Sequence, residues 1–303
     1  MKVDPELKSL YLIMNPNSGT RQGRRFLPEI VARFTRAGYL CSLLITEQRG
    51  DAVAFARDAG KRADVIVACG GDGTLNEVIT GLVTGRHDVP LGYIPCGSTN
   101  DFANGLGLPL NVIKACECIV EGSPRPLDIG LFGTKRYFSY TASFGAFTHV
   151  SWATPQNVKN LLGHTAYILE GIRSLADIRP IRMNITAGGL EYEDDYLFGA
   201  VCNSTSLGGV LKLKDSAVHM NDGLFEALLI PFPEDIFVLN RVLTSLQAGN
   251  YDDPSLLFLR SEEFLFRTRS GARIKWTLDG EEADGTSDLR IRNIRSAVRI
   301  LCP

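Results

Sequence analysis

No uncharged apolar run reaches the roughly 18 residues that would mark a membrane-spanning helix, so none of the 303 residues is expected to cross a bilayer. The first residues, Met1-Lys-Val-Asp-Pro-Glu6, carry acids and a proline where a secretory leader has a basic start and an apolar centre, which points to a cytoplasmic protein. Basic excess is missing too: 32 Lys and Arg stand against 34 Asp and Glu, a net charge of −2, without the footprint of a nucleic-acid binder. The seven cysteines are odd in number and lack CxxC spacing, so a zinc site or disulfide framework is not expected and the thiols read as reduced and mostly buried. What remains is an ordinary globular composition, 45% hydrophobic and 22% charged, with enough apolar residues for one large or two smaller cores.

The most informative stretch is Cys69-Gly-Gly-Asp-Gly-Thr-Leu-Asn-Glu-Val78. It follows a short β-branched run from Ala63 and precedes Leu75, Val78, Ile79 and Leu82 at helical spacing, which predicts strand, glycine turn and helix. Gly70, Gly71 and Gly73 leave no Cβ in the way of a phosphate, and the N–H groups and dipole of the helix start would face it. Asp72 among these glycines repels phosphate unless a divalent cation lies between them, so the pattern suggests a magnesium-nucleotide site. A tight turn with an incidental acid is the plainer alternative.

The same strand-loop-helix form recurs. Leu10–Met14 runs into Asn15-Pro-Asn-Ser-Gly19, followed by Arg21, Arg24 and Arg25 as candidate phosphate partners and by Phe26, Ile30, Val31 and Phe34 at helical spacing. Cys41–Thr46 is a second strand, with Gly50-Asp51 opening a helix, and Leu91–Ile94 a further one that ends in Pro95-Cys-Gly-Ser-Thr-Asn-Asp-Phe102. Alternating strands and helices predict a doubly wound parallel sheet, whose ligands bind beyond the carboxyl ends of the strands, where these loops fall.

Beyond Pro124-Arg-Pro-Leu-Asp-Ile-Gly130, read as the crossing into a second domain, strand-like runs dominate: 136–142, 181–186, 196–202, 224–230, 263–268, 274–277 and 298–301. They predict an antiparallel β-sandwich over 128–303, after an α/β domain over 1–127, with a return of the last strand toward the first domain left open. Leu161, Thr165, Ile168, Leu169, Ile172 and Leu175 form one face of an interrupting helix, read as core packing. Asn221-Asp-Gly-Leu224 reads as a turn before a strand, and Thr277-Leu-Asp-Gly-Glu-Glu282 as a strand ending in an acidic turn.

In this order and at these spacings, Met14–Gly19, Thr46–Ala52, Gly70–Val78 and Ile94–Ala103 resemble the catalytic core of the bacterial diacylglycerol kinase-like lipid kinases, which are more distantly related to NAD kinases. The resemblance implies ATP and Mg2+ as cofactors and places Asn15, Pro16, Asn17, Ser18, Gly19, Thr46, Gly70, Gly71, Asp72, Gly73, Thr74, Leu75, Asn76, Ser98 and Asp101 around the nucleotide. Gly97-Ser98 stands where related sequences usually have Gly-Thr, and the hydroxyl is kept. It further implies a structural magnesium held by Asp222 with the backbone carbonyls of His219 and Leu224. Asp279-Gly280-Glu281 matches the family's Asp-Gly-Glu segment, which implies Glu281 as catalytic base and Asp279 as its support or the metal's.

The expected activity is transfer of the γ-phosphate to a lipid hydroxyl, diacylglycerol being the simplest acceptor, with ATP on one wall of a cleft between the domains and the acceptor on the other. Such an enzyme would touch the membrane surface transiently, and a sandwich edge could mediate a homodimer. Two rivals stand beside it: an NAD kinase-like enzyme with a soluble acceptor, which would share the GGDGT turn, and a nucleotide-binding regulator without turnover.

Overall fold

The structure, a computed structural model, describes residues 7–146, 179–204, 206–207, 211–212 and 219–303; the apolar stripe from Leu161 to Leu175 lies outside them. The chain forms two compact units, one of Met1–Ile129 with Asn221–Gly223 and Ile294–Pro303, the other of Gly130–Met220 with Leu224–Asn293.

In the first unit β1 (Lys8–Met14), β2 (Tyr39–Ile45), β3 (Val65–Gly70) and β4 (Pro90–Pro95) are parallel in the order β2-β1-β3-β4. Met14 pairs with both Ile45 and Cys69, and Gly70 with Pro95, so the four carboxyl ends finish level. Between them run α1 (Gln22–Arg25), α2 (Leu27–Arg36), α3 (Asp51–Ala59) and α4 (Asp72–Gly85), and after β4 come α5 (Asp101–Gly105) and α6 (Val112–Glu121). All six residues of β3 are buried, as expected of a parallel strand covered on both faces. On one face Leu10, Leu12, Met14, Val65 and Val67 pack with Ile30 and Phe34 of α2 and Cys116 and Ile119 of α6. Alternation sends Ile13, Ile66 and Ala68 to the other face, where α3 and α4 lie against β1 and β3. Asn111 caps α6, its side chain accepting from Ile113 and Lys114 N–H, while Pro28 begins α2.

Residues 124–130, read as a crossing between domains, lie within strand β5 (Ser123–Phe132). Its Asp128 is fully buried and binds both late segments of this unit: Oδ2 accepts the Gly223 N–H and Oδ1 the Ser296 N–H, each at 2.7 Å. Asp128→Ala would leave two part-buried donors without the carboxylate, and we expect it to lower unfolding stability by about 2 kcal/mol. Urea melts should show that loss and a smaller one for Asp128→Asn.

The second unit is antiparallel. It contains β6 (Arg136–Phe138), β7 (Thr141–Gly145), β8 (Ile181–Ala187), β9 (Leu190–Cys202), the short pair β10 (Ser206–Leu207) and β11 (Leu211–Lys212), and β12 (Phe225–Pro231). After α7 (Ile236–Ala248) follow β13 (Leu257–Ser261), β14 (Glu263–Thr268), β15 (Lys275–Leu278), β16 (Glu281–Asp284) and β17 (Asp288–Cys302), whose last residues belong to the first unit and pair in parallel with β4. β9 pairs with β7, β8 and β12, β8 with β14, and β7 with β15. Trp276 anchors the core, its ring 4.8 Å from Phe144, 5.0 Å from Phe266 and 5.4 Å from Phe132. The run 136–142, expected as one strand, is broken at Ser139 and Tyr140.

Candidate active site

At the level carboxyl edge of the parallel sheet, four loops are laced together by backbone hydrogen bonds. Asn15 N–H donates to Cys69 C=O at 3.0 Å, Thr46 N–H to Met14 C=O at 2.9 Å and Cys96 N–H to Gly70 C=O at 2.7 Å. Asn15–Gly19, Thr46, Gly70–Asn76, Ser98 and Asp101 thereby come to one edge of one unit. Two glycines are there because nothing larger fits. A Cβ on Gly19, which also has φ +50°, would stand 2.3 Å from the Cys96 carbonyl oxygen, and one on Gly97 2.7 Å from the Gly71 Cα.

Each loop carries its own brace. Asn15 Oδ1 accepts Asn17 N–H at 3.0 Å, and Ser18 C=O accepts Arg21 N–H at 2.9 Å. Asn100, in the left-handed region at φ +52°, spans the Gly97 turn, its side chain accepting Gly97 N–H at 2.9 Å and donating to Gly97 C=O at 3.1 Å. The Thr46 loop is held by Asp51, whose Oδ2 accepts from Glu47 and Gln48 N–H at 2.9 Å each; these donors keep its carboxyl below the ordinary value. Glu77 of α4 reaches the same loop, Oε1 accepting Gly50 N–H at 2.9 Å.

Asp72 has a task that sequence reasoning missed. Its Oδ2 accepts Asp101 N–H at 3.0 Å and its Oδ1 Phe102 N–H at 3.3 Å, so the carboxylate of one helix start holds the start of α5. Burial pushes its carboxyl up from the ordinary value, and these two donors pull against that shift. The first N–H groups of the 14-residue α4 have no acceptor inside the helix, and they open on the same loops. Leu75 is fully buried, which leaves only its backbone for a ligand, whereas Ser98 and Asn17 are exposed.

In the second unit, Asp279-Gly280 is the two-residue turn between β15 and β16, with Leu278 paired to Glu281. φ values of +48° and +86° make it the turn type that suits the right-handed twist of a tight hairpin. The buried Asp279 carboxylate accepts three backbone N–H groups, from Ser139 at 2.5 Å and from Tyr140 and Thr141 at 3.0 Å. Those bonds are why the 136–142 run breaks. Strand alternation separates the two glutamates: Glu282 faces Lys275, 2.7 Å away, while Glu281 shares its face with Ala283, Trp276 and Leu278 and is half-buried. His219 is exposed and Asp222 partly buried; the turn that follows has Gly223 at φ +86°, and Leu224 C=O accepts Asn293 Nδ2–H at 3.2 Å.

Residues 9–132 match the family described as diacylglycerol kinase catalytic domain, and residues 142–302 one described as YegS C-terminal NAD kinase beta sandwich-like domain. The chain belongs to the diacylglycerol kinase family of lipid kinases. It is 31% identical over 277 residues to a diacylglycerol kinase of Bacillus subtilis (strain 168), covering 91% of this chain and 90% of the relative. Against the diacylglycerol kinase of Staphylococcus haemolyticus (strain JCSC1435) identity is 30% over 298 residues, with 98% and 88% covered. A solved diacylglycerol kinase from Bacillus anthracis str. Sterne has the same fold, with TM-score 0.78, 22% identity and coverage of 98% and 97%. Parallel N-terminal strands followed by antiparallel sandwich strands are the two-domain plan of this lipid kinase family. No helix among the described residues is long and apolar enough to cross a membrane.

Glu77 holds loop backbone, and Asn100 holds loop backbone and accepts the Tyr93 hydroxyl at 3.4 Å, so spacing alone gave no sign of them. For a lipid kinase the Glu77 bond to the Thr46 loop predicts that Glu77→Ala raises KM for ATP by about tenfold, the worth of one charged hydrogen bond, with kcat and melting temperature little changed. Glu77→Gln, which keeps an acceptor, should restore most of the loss.

Proposed function

We propose that this chain is an ATP-dependent kinase that phosphorylates the hydroxyl of diacylglycerol, giving phosphatidate and ADP. The observation that supports it most is the lacing of the four loops at the start of α4, in a chain of the lipid kinase family. A nucleotide triphosphate fits the chemistry there: side chains are excluded where loops meet, and the first N–H groups of α4 lack helical acceptors. Gly70–Asn76 take the phosphates, with Asn15–Gly19, Thr46 and Ser98 around them and Asp72 and Asp101 beside the cation. Mg2+, when bound, offsets the charge on the phosphate oxygens. A second, structural magnesium suits Asp222 with the carbonyls of His219 and Leu224, an all-oxygen donor set for a hard cation.

Glu281 takes the proton from the acceptor hydroxyl as that oxygen bonds to the γ-phosphorus and the bridging bond to ADP breaks. Asp279 supports Glu281 by fixing the hairpin turn that carries it. The protein works from the cytoplasm, meets the membrane surface only during turnover, and is a candidate homodimer.

The test is a panel of acceptors with γ-labelled ATP: mixed vesicles carrying diacylglycerol, monoacylglycerol, sphingosine, ceramide or phosphatidylglycerol, and soluble NAD. Label is expected in phosphatidate. Transfer to another lipid alone overturns the acceptor assignment, transfer to NAD alone makes this an NAD kinase, and ATP binding without transfer to any acceptor makes it a regulator.

A further inference from the structure

Two thiols sit beneath the nucleotide loops and have no part in the reaction above. Cys69 lies near the end of β3 and Cys96 just past β4, with sulfurs 3.8 Å apart. Cys69 is fully buried and Cys96 5% exposed. Each is followed directly by a glycine of the site, Gly70 and Gly97. The third wall of the pocket is Gly23 of α1, where a Cβ would come within 2.8 Å of the Cys69 sulfur and 3.4 Å of the Cys96 sulfur.

We propose that Cys69 and Cys96 are a redox modification site, closed to a disulfide by a peroxide-class oxidant and reopened by a dithiol, and that closure weakens nucleotide binding. The two sulfurs are unequal. The Cys69 S–H and the Gly23 N–H both favour negative charge on the Cys96 sulfur, against the effect of burial, and hold its thiol below the ordinary value. Its partner is pushed up, first by that same hydrogen bond and then by burial. Cys96, the less buried of the two and the one a peroxide reaches first, is the attacking thiolate: its sulfur takes one oxygen from the peroxide, the O–O bond breaks, and hydroxide leaves as water after protonation. The Cys69 thiol gives up its proton, its sulfur bonds to the Cys96 sulfur, and the hydroxyl of the sulfenic acid leaves as a second water. Two thiols are oxidised, one peroxide is reduced and no other reagent is needed. Cys116, fully buried in α6 and pushed up to about 12 by that burial, is a poor competitor.

The consequence follows from the distance. Closing 3.8 Å to the roughly 2.05 Å of a disulfide must draw the ends of β3 and β4 together. Gly71 and Gly97 already touch there, since a Cβ on Gly97 would lie 2.7 Å from the Gly71 Cα, so both turns must shift. Displacement of about 1 Å in a phosphate cradle costs about tenfold or more in binding or rate.

The effect on ATP rests on the nucleotide reading above; the modification itself does not. The whole protein is treated with hydrogen peroxide, free thiols are alkylated, and the protein is digested without reduction. A Cys69–Cys96 linked peptide pair, removed by dithiothreitol, is expected, together with an ATP dissociation constant about tenfold higher by calorimetry and restored by the dithiol. Cys96→Ser should form no such link, and its ATP affinity, whatever its starting value, should not move with peroxide. Oxidation confined to Cys41 or Cys118 without the link, or the link with unchanged ATP affinity, overturns the proposal. Absence of ATP binding by the reduced protein would instead count against the nucleotide reading, and the peptide masses still report the link.

Discussion

Replacing Glu281 with Gln is expected to lower kcat for lipid phosphorylation by about 10³-fold, within the range for losing a general base, while ATP affinity and melting temperature stay near those of the parent. The hairpin explains why one acid of three should carry this effect. Glu282 is exposed and paired with Lys275, which also binds Asp284 at 2.8 Å, so Glu282→Gln removes only one surface ion pair, worth under about 1 kcal/mol. Asp279 spends its carboxylate on three backbone donors. Glu281 alone combines a half-buried position, the inner face of the strand and a place directly after a rigid turn. Gln keeps the shape and the hydrogen-bonding oxygen and removes the basicity, so a fall in kcat without a rise in KM for ATP isolates proton transfer. Label transfer by Glu281→Gln at the parent rate would remove Glu281 from the chemistry, and an equal fall in Glu282→Gln would assign the role to the wrong neighbour.

How much of this could be read beforehand depended on whether the cause lay close in sequence. The strands of the parallel sheet were legible because each is a short apolar run ending in a glycine or asparagine turn, and Leu75, Val78, Ile79 and Leu82 gave α4 its period. β5 was missed because Pro124 and Pro126 read as a linker, and only its last six residues are buried. Only the end of β17 was recognised, since Asp288, Arg290 and Arg292 alternate with the buried Leu289 and Ile291 and look like a charged loop. The bonds of Asp72 to α5, of Asp128 to Gly223 and Ser296, and of Asp279 to Ser139–Thr141 join residues from 29 to 168 positions apart, and no spacing rule reaches them. In each case a carboxylate that looked available for chemistry, or went unnoticed, is bound to backbone N–H groups in the fold. That is the general cost of burying an acid: it must find donors, and for these three the donors are distant main chain, whereas Glu226 and Asp253 find side chains of Arg260, Arg241 and Ser245.

Asp279→Ala should therefore be among the most destabilising single changes in the described residues, lowering unfolding stability by about 4 kcal/mol. Two losses add. Three N–H groups at Ser139, Tyr140 and Thr141 lose a buried acceptor, and alanine must hold φ near +48°, where a side chain without a local hydrogen bond is about 1 kcal/mol worse off. Asp279→Asn separates them, because asparagine tolerates the left-handed region and keeps one accepting oxygen, so its loss should be about half as large. Both variants free the Ser139–Thr141 segment and the turn before Glu281, which predicts faster proteolysis between β6 and β7 and a kcat that falls further than KM for ATP rises. A melting temperature for Asp279→Ala equal to that of the parent would show that the turn stands without its carboxylate. The rigid placement of Glu281 would then need another support, such as the Trp276 core behind β15.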